Sequence, residues 1–151
     1  MVLLARVGSG VYNAVLLLHI LSVIVAFAPA VVNPLTGPRL YKDDESAGQR
    51  FWAVSAANSR QVYLPALAVV GLLGFALVGI SNEQWRFSDP WVFISAILWL
   101  VIAGIVSAVI VPGQKQMGEG DRTAESKVVK ASSIATVLFL VVLFLMVVKP
   151  G

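Results

Sequence analysis

The sequence predicts an all-α membrane protein: a four-transmembrane-helix bundle, one domain over residues 1–151, with both termini on the same, outer side. Three observations carry that expectation. Hydrophobic residues make up 58% of the chain and charged ones only 13%, against about 45–50% and about 25% in soluble domains. Four uninterrupted apolar runs are each long enough to cross a bilayer, which takes ~20 helical residues. None of the four contains Asp, Glu, Lys or Arg. Helices are required, because lipid offers no partner to an open backbone amide, and the runs lack the polar–apolar alternation of barrel strands.

The first span is expected over residues 14–32. Arg6 and "AFA" at 26–28 imitate a signal peptide, but the run reads as a retained span. The stretch that follows, "NPLTGPRL", is rich in turn formers and is expected to interrupt the helix. "DDESAGQRFWAVSAANSR" reads either as an interfacial helix or as an extension of the second span, the latter preferred. That second span, 62–80, holds Pro65 near its start and offers Ala68, Gly71 and Gly74 for close packing. Trp85, Phe87 and Trp91 in and beside the short second loop suit an aromatic belt. Asp89-Pro90 suits a helix start. The third span, 91–111, carries the small-xxx-small pairs Ala103/Ser107 and Gly104/Ala108, expected at the bundle centre. The fourth, 131–148, is bulky throughout and is expected at the periphery.

Basic residues orient the chain. Arg39, Lys42, Arg50, Arg60, Lys115, Arg122, Lys127 and Lys130 fall in loops 33–61 and 112–130; only Arg6, Arg86 and Lys149 fall on the other side. Those two loops are therefore expected in the cytoplasm of a multi-pass protein of the bacterial inner membrane. The net charge of +3 follows from this topology and is no sign of nucleic-acid binding. With no cysteine, disulfides, thiolate metal sites and Cys nucleophiles are excluded. No Gly-rich phosphate loop, HExxH or GxSxG occurs, so no catalytic residues and no protein metal site are expected.

One histidine remains, His19, ~8 Å inside the first span. Its plain reading is a neutral imidazole bonded to Ser22, to a carbonyl or to another helix. The sharper reading is an axial haem ligand, with Met146 or a second protomer's His19 opposite; quinone or substrate binding is a further alternative. Arg39 and Arg60 read as topology signals that contact lipid headgroups, or as forks for an anion such as a propionate or phosphate.

The lone histidine of helix one, "PALAVVGLLG" in helix two and the ending "FLMVVKPG" resemble a bacterial membrane family known as domain of unknown function 2269. That family is similar to CopD-like copper-resistance membrane domains and to HemJ-type haem proteins. Against the HemJ pattern, His19, Pro38-Arg39-Leu40 and the Pro65-to-Gly74 spacing match. The histidine expected after Pro-Arg-Leu is replaced by Lys42, Asp43 and Asp44, and the lysine expected early in helix three is missing from "WVFISA". The resemblance thus implies the bundle without the oxidase residues. The leading functional expectation is an accessory subunit that packs in a larger membrane complex or with itself and holds no cofactor. A b-type haem redox protein using His19 is the alternative. Copper handling or transport comes third.

Overall fold

The computed structural model describes residues 7–150. Four long helices form it: α1 (Gly10–Asp43), α2 (Glu45–Gly79), α3 (Pro90–Gly118) and α4 (Glu125–Val148). All four apolar runs lie within helices long enough to cross a membrane, and no strand occurs among the described residues. We call the end near Gly10 and Val148 the terminal end and the other the distal end.

The helices are longer than the apolar runs alone would make them. With 34 and 35 residues, α1 and α2 reach about 50 Å at 1.5 Å per residue, beyond the ~40–45 Å of a whole bilayer. The surplus lies at the distal end. There α1 continues through Pro29, Pro34 and Pro38 to Asp43, so the expected break at "NPLTGPRL" does not occur. Each proline leaves the carbonyl four residues earlier without its usual donor. For Pro34 that carbonyl is Ala30's, and Thr136 Oγ1 of α4 lies 3.5 Å from it while also 2.9 Å from the Ser132 carbonyl. A neighbouring helix therefore supplies what the proline removed, a tertiary effect invisible to local turn chemistry.

The preferred extension of the second span is what forms: Asp44 alone separates α1 from α2. Pro65 consequently lies well inside α2, and Pro112 inside α3. A π-helical segment precedes each, Ser59–Tyr63 and Val106–Ile110. There the Leu64 amide donates to the Ser59 carbonyl and the Val111 amide to the Val106 carbonyl. The widened turn accommodates the following pyrrolidine ring, and the helix proceeds.

Packing runs α1–α2–α3–α4 and back to α1, but unevenly. At the distal end α2 and α3 lie tightly together. The Ser59 hydroxyl donates to Gln114 Oε1 at 2.7 Å, and the Tyr41 hydroxyl donates to the Met117 carbonyl. Trp52 is fully buried against Gly37, where any Cβ would stand 2.1 Å from its ring. Tyr41, Trp52, Met117, Val128 and Ala135 belong to one apolar core. At the terminal end, by contrast, α2 and α3 scarcely touch.

Two packing expectations change. Gly104, Ser107 and Ala108 are exposed, and a Cβ on Gly104 would meet nothing within 4 Å, so that face of α3 is turned outward and not to the bundle centre. Helix α4 is less peripheral than expected. It buries Val128, Ala131, Ser132, Ala135, Val142 and Leu145, a heptad-like stripe, while Val137, Phe144 and Val147 point outward.

Candidate functional site

The divergence of α2 and α3 leaves a cavity of about 420 Å³ in the terminal half of the bundle, within the range of small-molecule sites. Trp99 sets where it begins. Its indole crosses from α3 to α2 and donates from Nε1 to the Leu67 carbonyl at 2.9 Å. The ring lies over Gly71, one turn further on, where a Cβ would come within 2.3 Å of it. Phe27 and Phe139 stack face to face at 3.9 Å beside it. Together with Ile102 these rings line the deep end.

His19 stands midway up the wall, about 12 Å by helical rise from Phe27. It is 5% exposed and packs beside Gly74, where a Cβ would lie 3.4 Å from the imidazole Cε1, an ordinary contact. The Val70 carbonyl lies beside the ring, but Nδ1 makes no hydrogen bond of ordinary geometry. Of the partners the plain reading offered, Ser22 is engaged elsewhere, its hydroxyl donating to the Leu18 carbonyl, and the carbonyl beside the imidazole, Val70's, belongs to another helix. A second orphan lines the same cavity: Ser95 Oγ on α3, one turn before Trp99, buried and without a partner. Buried polar atoms are satisfied in the great majority of cases; of the four unpartnered ones among the described residues, His19 Nδ1 and Ser95 Oγ line this chamber, while Asn33 Nδ2 and Trp52 Nε1 lie elsewhere.

Met146 of α4 also lines the cavity, so the structure brings it together with His19. Arg39 and Arg60 are not part of it. Arg39 is exposed near the distal end, and Arg60 rims a separate shallow groove with Lys115 over Ala53, Ala57 and Gly118. No group of three or more His, Cys, Asp or Glu side chains forms among the described residues.

The sequence did not point to the mouth. Trp85 and Trp91, expected in a lipid-facing belt, turn toward the cavity and meet edge to face at 5.4 Å. The Lys149 ammonium sits 4.1 Å from the Trp85 ring and 5.8 Å from that of Trp91. A tight turn aims Trp85: Asn82 and Glu83 both adopt positive φ, a costly conformation outside glycine, and Ser81 Oγ accepts the Trp85 amide at 3.0 Å. For Ser95, a lone hydroxyl at helical spacing from Trp99 was the available signal.

These features define a multi-pass, four-helix membrane protein with a packed distal half and a hollow terminal half. No family model, curated protein or solved structure matches the chain.

Proposed function

We propose that this protein binds an apolar, cofactor-sized ligand in its terminal-half cavity, with haem b held at His19 as the ligand class that suits it best. The observation that carries the reading is a buried imidazole, with the Val70 carbonyl beside its ring, set in the wall of an otherwise apolar chamber. Neutral imidazole is a common axial donor to haem iron. Met146, on the same cavity, is the candidate second ligand. Bound haem would supply one-electron chemistry. The chain would supply the axial base, a dry surround from Phe27, Trp99 and Phe139, and a hydroxyl at Ser95. The absence of charge inside the spans argues against a proton or cation path.

The test is the visible spectrum of protein purified in mild detergent and titrated with haemin. The reading expects a Soret band that His19→Ala abolishes and Met146→Leu shifts. A spectrum unchanged by His19→Ala refutes it.

A second reading, the accessory subunit or homo-oligomer, is favoured by the uncovered Gly104/Ala108 face of α3, since small residues mark helix contacts in lipid. Native mass spectrometry tests it. Under either reading we place the protein in a bacterial inner membrane with the distal end in the cytoplasm, on the basis of the eight basic residues in loops 33–61 and 112–130.

A further inference from the structure

We propose that the cavity selects a ligand bearing an anionic end, and that Lys149, held at the mouth by Trp85 and Trp91, is the group that recognises it. This deepens the reading of the cavity as a ligand site and rests on it. Among the described residues, Lys149 is the only charged one lining the cavity. No carboxylate pairs with it among the described residues; its ammonium rests on two indole faces instead. Such cation–π contacts fix the position of a cation without using its N–H donors as hydrogen bonds to an acceptor. Those donors remain for a ligand oxygen. The chamber behind is apolar, ending at the Phe27–Phe139 stack, so the fitting molecule has a long or flat hydrocarbon body with a carboxylate at one end. The gap between the terminal halves of α2 and α3 gives such an amphiphile a sideways route from the lipid leaflet. Its acidic end would then stay at headgroup level, the depth that Trp and Lys at membrane interfaces favour.

Two molecules carry the chemistry, a porphyrin with propionates and a membrane fatty acid, and paired probes separate them. One arm titrates wild type, Lys149→Gln and His19→Ala with haemin and with haemin dimethyl ester, followed by the Soret band. The other uses cis-parinaric acid and its methyl ester, followed by polyene fluorescence. The expected result is that the free acid binds about tenfold tighter than its ester in wild type. Lys149→Gln should remove that preference and Lys149→Arg should keep it, with the Soret position unchanged by either substitution. A preference seen only with haemin assigns the porphyrin as the anionic ligand; one seen only with parinaric acid assigns the lipid; either sustains this inference. Equal binding of acid and ester in wild type in both arms, or a preference that survives Lys149→Gln, overturns the inference. The haem reading would still stand if His19→Ala alone abolished the Soret band.

Discussion

Substituting Gly71 by alanine should collapse the contact that separates the cavity from the core. The Trp99 indole passes over Gly71 to reach the Leu67 carbonyl. An alanine Cβ would stand 2.3 Å from Trp99 Cζ2, against ordinary carbon contacts of about 3.5–4.0 Å. The ring must therefore retreat by about 1.5 Å, and Phe75, edge-on at 6.0 Å between centroids, limits where it can go. Overpacking of this kind costs about 1–3 kcal/mol, and losing the indole hydrogen bond adds about 0.5–1.5 kcal/mol. A total of about 2–4 kcal/mol corresponds to a fall in Tm of roughly 5–15 °C, measurable by tryptophan fluorescence in detergent. Gly71→Ala should also weaken ligand binding, because the displaced ring enters the chamber. The double variant Gly71→Ala/Trp99→Phe should recover part of the lost stability, since phenylalanine lacks the clashing Cζ2. Gly71→Ala with unchanged Tm and unchanged binding would refute the assignment of Trp99 as the wedge between α2 and α3.

Gly104→Ala, where a Cβ meets nothing within 4 Å, should raise stability by about 0.5–1 kcal/mol; an oligomer lost on Gly104→Leu, seen by native mass spectrometry, would instead place that face in an interface. Tyr41→Phe removes the hydroxyl from the buried Met117 carbonyl, which keeps the Gly120 amide at 3.1 Å, and should cost about 0.5–1.5 kcal/mol, read as a lower midpoint in thermal unfolding. At the distal end, hydrogen bonds from the Ser46 side chain and from the Ala47 and Ser46 amides hold the Asp44 carboxyl below its usual range, and the Thr123 hydroxyl and amide do the same for Asp121. A lowered carboxyl pKa contributes stability above the unfolded value and loses it as pH falls through the folded one. Protection of the amides of residues 46, 47 and 123, measured as exchange relative to the intrinsic rate at each pH, should therefore fall below about pH 4 and stay constant between pH 5 and 8. Because the chain has no cysteine, single cysteines report sidedness cleanly: Ser88→Cys should react with an impermeant maleimide added outside intact cells, and Ser126→Cys should not.

The amino-acid sequence by itself determined the class of the molecule. Four apolar runs without Asp, Glu, Lys or Arg require lipid, and lipid requires helices whose backbones are satisfied internally. Local chemistry also placed the start of α3 at Asp89-Pro90. Only the tertiary structure decided where the helices end and where the bundle is hollow. Proline and glycine in "NPLTGPRL" look like a turn to any local rule, yet α1 continues through them, packed against α4, whose Thr136 hydroxyl lies 3.5 Å from the Ala30 carbonyl that Pro34 leaves open. Trp85, Trp91 and Ser95 share one short stretch of chain, but Lys149 lies far from them, and each is individually ordinary. They line the same chamber as His19 because α2 and α3 diverge above Trp99, and that divergence depends on packing between helices, which periodicity within one helix cannot encode.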